Sequence, residues 1–233
     1  MSMTTVMLTG ANRGLGLEFA KQYAAEGVKV IACARQLASA TALTSLAQQY
    51  SNVTLETLDV ADFQQIDHLA QKLAGTAIDI LINNAGVYGD TAAHSFGHLD
   101  YLAWMDTLRI NTLAPVKMAE AFLEHLQLSN TKLLVAISSM MGSMADNTSG
   151  GSLLYRSSKA GLNASMKSLA LDLQQHQIGV LIFHPGWVLT DMGGPNALIQ
   201  SPESIQGMRE QIARFEMAQS GSFIKYNGQV MPW

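Results

Sequence analysis

The chain has 233 residues, 48% of them hydrophobic and 14% charged, the proportions of one folded domain with a sizeable core and not of a disordered chain. Its 14 basic and 18 acidic residues leave a net charge of −4 with no Lys/Arg cluster, which excludes nucleic acid as the expected partner. One cysteine, Cys33, allows neither an internal disulfide nor a structural zinc pair; with no membrane-length apolar run and no basic segment in Met1–Thr5, the expectation is a cytoplasmic protein outside the membrane.

From the start of the chain, short apolar runs alternate with longer amphipathic stretches. Thr5–Thr9 reads as a strand and 14–26 as a helix, with Thr9-Gly10-Ala11-Asn12-Arg13-Gly14-Leu15-Gly16 between them. Three glycines in a strand-turn-helix setting let the chain turn sharply, approach a pyrophosphate closely and pack helix against strand. The helix start adds unpaired N–H groups and positive potential. Gly10, Asn12, Arg13, Gly14, Leu15 and Gly16 are therefore predicted to cradle a dinucleotide phosphate, the alternative being a tight turn alone.

The second strand, Val28–Ala34, ends in Arg35, where an acidic residue would hold a ribose 2′-hydroxyl and a basic one a 2′-phosphate. With no Asp or Glu there, and with Arg13 able to reach the same phosphate, NADP(H) is favoured over NAD; two solvated surface arginines are the plain alternative. A helix over 39–49 leads to the third strand, Val53–Leu58, and Asp59 then stands where it could cap the next helix, 63–73. The fourth strand, Ile78–Ile82, runs into Asn83-Asn84-Ala85-Gly86.

The long helix predicted over 100–127 carries Met105, Leu108, Thr112, Pro115, Ala119, Phe122 and Leu126 as one stripe facing the sheet. Pro115 has no N–H for the carbonyl four residues back, that of Asn111, so a buried acceptor is left for a water, or the proline merely kinks the helix. The fifth strand, Lys132–Ser138, ends at Ser138-Ser139. A helix over 154–175 has Leu162, Met166, Leu169 and Leu173 on one face, and near its start Tyr155 and Lys159 four residues apart. After the sixth strand, Ile178–His184, Pro185–Glu203 is the longest irregular stretch and a candidate lid. Six strands separated by helices define an α/β fold: a single-domain, doubly wound parallel sheet, Rossmann-like, with helices on both faces.

The glycine turn, Asn83-Asn84-Ala85-Gly86, Asn111-Thr112-Leu113-Ala114-Pro115, Ser138-Ser139, Tyr155-Arg156-Ser157-Ser158-Lys159 and Pro185-Gly186-Trp187-Val188-Leu189-Thr190 agree in order and spacing with one family. Across essentially the whole chain the sequence resembles the short-chain dehydrogenase/reductase family. The Tyr-Arg-Ser-Ser-Lys motif and the ending Gly228–Trp233 look most like its carbonyl-reductase and C-factor-like branch.

The resemblance implies one domain over 1–233, mainly cofactor-binding over 1–130 and catalytic and substrate-binding over 131–233. Tyr155 would be the general acid/base, its phenol made more acidic by Lys159 and the oxidised nicotinamide, and Lys159 would also bind the nicotinamide ribose. Ser139, in a Ser-x-x-Gly pattern, would polarise the substrate carbonyl, with Ser138 as fallback. Asn111 would hold a proton-relay water at its backbone. Asp59 and Val60 would meet the adenine side of the cofactor, Asn83, Ala85 and Gly86 the adenosine ribose, and Pro185, Gly186, Val188 and Thr190 the nicotinamide end. The serine-to-tyrosine interval is longer than usual for the family, and Asp146–Gly151 looks like the added loop.

Met140, Met141, Met144, Tyr88, Trp187 and Met192 flank the expected reaction point, which suits an apolar aldehyde or ketone, although each of them could equally be core. No histidine spacing fits a metal site, and none is expected. The resemblance also implies a dimer or tetramer built on the two long helices. A second reading stays open: a nucleotide-binding scaffold or signalling protein with vestigial redox chemistry, since C-factor-like relatives are associated with intercellular signalling.

Overall fold

The computed structural model describes residues 4–233; Met1–Met3, part of the segment read as lacking a basic leader, lie outside the described residues. The strands are β1 (Thr5–Thr9), β2 (Lys29–Ala34), β3 (Val53–Thr57), β4 (Ile80–Asn83), β5 (Leu133–Ile137), β6 (Gly179–His184) and β7 (Ser222–Lys225). They form one sheet in the order β3-β2-β1-β4-β5-β6-β7, every neighbouring pair parallel. Central strands are covered on both faces, so Thr5–Thr9, Leu133–Ile137 and Gly179–His184 are buried residue after residue, and their sequences run apolar without alternation.

One face packs on α3 (Phe63–Lys72), α5 (Ala114–Ala121), α6 (Leu123–Gln127) and α7 (Leu153–Asp172), with Ile66, Phe122, Leu162 and Met166 in that layer. The other packs on α1 (Gly14–Ala25), α2 (Thr41–Gln49) and α8 (Ser201–Ala213), through Phe19, Leu43, Ile205 and Met208. Each such fully buried side chain contributes about 1.5–3 kcal/mol relative to exposure. The doubly wound parallel sheet is the predicted fold class, with β7 and α8 added to the expected elements. The irregular stretch expected over Pro185–Glu203 therefore stops at α8, which starts at Ser201.

The long helix is not continuous. α4 (Tyr101–Leu108) passes into a π-turn over Arg109–Leu113, where the Ala114 N–H donates to the Arg109 carbonyl five residues back, and only then into α5. The wide turn changes the phase of the helix. Thr112, Pro115, Ala119, Phe122 and Leu126 are buried as the stripe requires, whereas Met105, before the turn, is 57% exposed and does not face the sheet. Among the described residues no helix is long and apolar enough to cross a membrane.

Candidate active site

Strand order reverses between β1 and β4, and a crevice opens there beyond the carboxyl ends of the strands. It holds a cavity of about 570 Å³. Gly10, Asn12, Arg13, Gly14, Leu15, Gly16, Arg35, Asp59, Val60, Ala85, Gly86, Ser139, Tyr155, Lys159, Pro185, Gly186, Val188 and Thr190 all line it. Two predicted residues do not. Asn83, the last residue of β4, is buried under the sheet end, and its neighbour Asn84 faces the cavity instead, donating to the Thr9 and Gly10 carbonyls at 2.9 and 3.2 Å. Successive strand residues point to opposite faces, so only one of the two asparagines can reach the crevice. Asn111 lies fully buried behind the wall.

The glycine turn fits a dinucleotide phosphate. A Cβ on Gly16 would collide with the Gly10 carbonyl oxygen, so backbone there is packed more closely than any side chain permits. α1 starts inside the turn with no acidic residue in its first turn, leaving positive potential toward the cavity. Arg13, predicted to hold a 2′-phosphate, pairs at 2.6 Å with Asp191 of the loop after β6, which sequence reasoning did not single out; both side chains are largely exposed. Such a pair is worth about 0–1 kcal/mol, so Arg13 can exchange Asp191 for a phosphate at little cost. Asp59 is not the cap of α3: that role belongs to Asp62, whose carboxylate accepts from the Gln64 and Gln65 N–H groups at 3.0 and 3.2 Å, while Asp59 faces the cavity.

At the other end of the cavity, α7 presents Tyr155 and Lys159 on one face. The Lys159 ammonium is buried, donates to the Ile137 carbonyl at 2.8 Å and lies 5.7 Å from the Tyr155 ring centre. Burial brings the amine down to about 8. Burial also pushes the Tyr155 phenol up to about 12, opposed by its hydrogen bond with Ser139 and reinforced by Tyr88. The expected acidification of Tyr155 by Lys159 is thus not a property of the protein alone: loss of water around the phenol is the largest influence, and Lys159 is not among the groups that shift it. The two serines part company here. Ser138 donates to Asn163 Oδ1 at 2.6 Å, whereas Ser139 accepts a Met141 N–H at 3.1 Å and has its hydroxyl beside the Tyr155 phenol.

The Asn111 side chain accepts from the Val87 N–H at 2.9 Å and donates to the Val87 carbonyl and the Ser158 hydroxyl at 2.8 and 2.9 Å. It joins the loop after β4 to α7. Of the expected substrate-side residues, Tyr88, Met141, Trp187 and Met192 line the cavity; Met140 and Met144 are exposed away from it. The Tyr88 and Tyr155 rings lie 4.8 Å apart.

Dehydrogenases that bind dinucleotides are the class such a fold and cleft define. Within that class the chain belongs to the short-chain dehydrogenase/reductase family of oxidoreductases, whose sequence profile, described as short chain dehydrogenase, matches residues 4–198. The C-signal protein of Myxococcus xanthus is 41% identical over 156 residues, 67% of this chain and 93% of the relative. Carbonyl reductase Sniffer of D. melanogaster superposes with a TM-score of 0.93 at 31% identity, both chains covered in full. The NADPH-bound carbonyl reductase from chicken fatty liver gives 0.92 at 31% identity, again with both chains fully covered.

Proposed function

We propose that the protein is an NADPH-dependent reductase of aldehydes and ketones, with the reverse alcohol oxidation at the same site. The observation that carries this reading is the continuity of one cavity from the glycine turn to Ser139, Tyr155 and Lys159. Bound NADPH supplies the hydride. Ser139 donates its hydroxyl hydrogen to the substrate carbonyl oxygen, and Tyr155 transfers its phenolic proton to that oxygen as the carbon is reduced. Lys159 holds a positive charge beside the phenolate that results, and the main-chain carbonyl of Asn111, beside Pro115, seats the water that returns a proton through Lys159. Residues 1–130 supply mainly the cofactor side and 131–233 the chemistry. The reading is tested by following NADPH consumption over a panel of aldehydes, ketones and quinones, where apolar carbonyls are expected to turn over; no turnover with any of them overturns it.

NADP(H) preference rests on Arg13 and Arg35, both of which line the cavity. Arg35→Asp is expected to weaken NADPH about tenfold or more while NADH changes little, since a charge-assisted bond is lost and a like charge introduced. Fluorescence titration with both cofactors reads this, and a wild type preferring NADH contradicts the assignment. The pH dependence follows from Lys159. Its ammonium is lost as pH rises through about 8, while Tyr155, at about 12, keeps its proton. The kcat/KM for reduction is therefore expected to be level below that point and to decline above it. A profile level until the phenol itself titrates removes the charge of Lys159 from the mechanism.

Tyr88, Met141, Trp187 and Met192 support an apolar substrate. Tyr101, Leu102 and Met105 leave an apolar face exposed on α4, which supports assembly of two or four copies, and the lone buried Cys33 suits a reducing cytoplasm. A second reading, a nucleotide-binding signalling or scaffold protein with vestigial chemistry, is favoured by the likeness to the C-signal protein. The Tyr155→Phe variant separates the two.

A further inference from the structure

α7 begins without a cap of its own. Ser152, the residue before its first turn, sits in the left-handed region at φ 46, ψ 47, and its side chain caps nothing; its hydroxyl shares a 2.7 Å hydrogen bond with the Tyr88 hydroxyl instead. A helix start of this kind leaves several N–H groups unpaired. Two of them belong to Leu154 and Tyr155, and both donate to the carboxylate of Asp90, at 3.2 and 2.8 Å, more than sixty residues away on the loop after β4.

That loop is itself held fast. Val87 is fixed by both polar atoms of the Asn111 amide, and Gly89, at φ +79, packs so closely on Thr107 of α4 that a Cβ would collide with its hydroxyl. Tyr88, between these anchors, lays its ring on that of Tyr155. We infer that Asp90 is a positioning residue for Tyr155: its carboxylate substitutes for the missing cap of α7 and fixes the backbone that carries the phenol, while its charge offsets the positive end of the helix beside Tyr155 and Lys159. The inference rests on Tyr155 being the acid of the proposed reductase. It adds a residue that touches neither substrate nor cofactor, and it makes the loop after β4 a strut between Asn111 and the reacting hydroxyl.

Three measurements on the full chain test it. Amide hydrogen exchange, followed by NMR without cofactor, should show lost protection at Leu154 and Tyr155 in Asp90→Ala and retained protection at Tyr155 in Asp90→Asn, whose carboxamide oxygen still accepts. Steady-state reduction should lose about ten- to a hundredfold in kcat in Asp90→Ala with KM for NADPH unchanged, and most of that loss should be restored in Asp90→Asn. The pH at which reduction declines should move down in Asp90→Asn, because the carboxylate that offsets the positive end of α7, the helix carrying Tyr155 and Lys159, has been removed; Tyr88 is the other titratable group facing Tyr155. Unchanged exchange in Asp90→Ala overturns the cap. Equal losses of kcat in both variants with an unmoved pH profile overturn the positioning role and leave Asp90 a stabiliser of the fold. If the wild type reduces no carbonyl, the reductase reading falls, and the exchange result alone upholds or overturns the cap.

Discussion

Replacing Tyr155 by Phe is expected to abolish carbonyl reduction and leave NADPH binding intact. The variant removes one hydroxyl from a buried ring that keeps its contact with Tyr88, so the wall of the cavity stays in place. On the proposed mechanism Ser139 still polarises the carbonyl oxygen, but the phenolic proton at position 155 is gone, and the neighbouring Tyr88 hydroxyl is engaged with Ser152. General acid catalysis is worth about 10²- to 10⁴-fold, or roughly 3–5.5 kcal/mol of barrier. Turnover should fall by that factor, while the dissociation constant for NADPH stays within about twofold. Loss of both together means that the ring positions the cofactor, and unchanged turnover removes Tyr155 as the acid.

Gly16→Ala is expected to cost both stability and cofactor affinity. The added Cβ would meet the Gly10 carbonyl oxygen and, at 2.6 Å, the Asn84 amide nitrogen. Neither neighbour can yield easily: one is backbone, and the other holds the Thr9 and Gly10 carbonyls. The start of α1 must therefore move off the turn. Overpacking of this kind costs about 1–3 kcal/mol, read as a lowered Tm, and the displaced N–H groups should weaken NADPH by about tenfold or more. An Ala variant with wild-type affinity would mean that the glycine turn holds no phosphate.

The parts of the molecule legible in advance are those carried by neighbours in sequence. A strand buried on both faces, such as Leu133–Ile137, is an unbroken apolar word, and the glycine turn or the Tyr155–Lys159 pair lies within a few residues. β7, the four residues Ser-Phe-Ile-Lys at the sheet edge, has too little apolar sequence to stand out. α8 did carry a signal: Ser201-Pro202-Glu203 is a helix opening, and Ile205, Met208 and Ile212 fall on one face. The π-turn was hidden because a stripe drawn at constant pitch cannot register one wide turn, and Met105 was misplaced for that reason. Asp90 and Asp191 were hidden by distance. Each acts on a partner far along the chain, 65 residues for Tyr155 and 178 for Arg13, and nothing in the local sequence of either marks the encounter.

The all-parallel sheet governs how the chain reaches this state. No two neighbouring strands are joined by a hairpin, so every ladder waits for a crossover to close, and β1 finds β4 only through pairs such as Val6 with Ile80. Sheets assembled from such remote pairings accumulate slowly and leave unsatisfied strand edges along the way. Refolding is therefore expected on the slow side for a chain of this size. The step at which β4 slots in beside β1 both joins the two halves of the sheet and creates the nucleotide crevice, so the ability to bind should arise together with the central ladder.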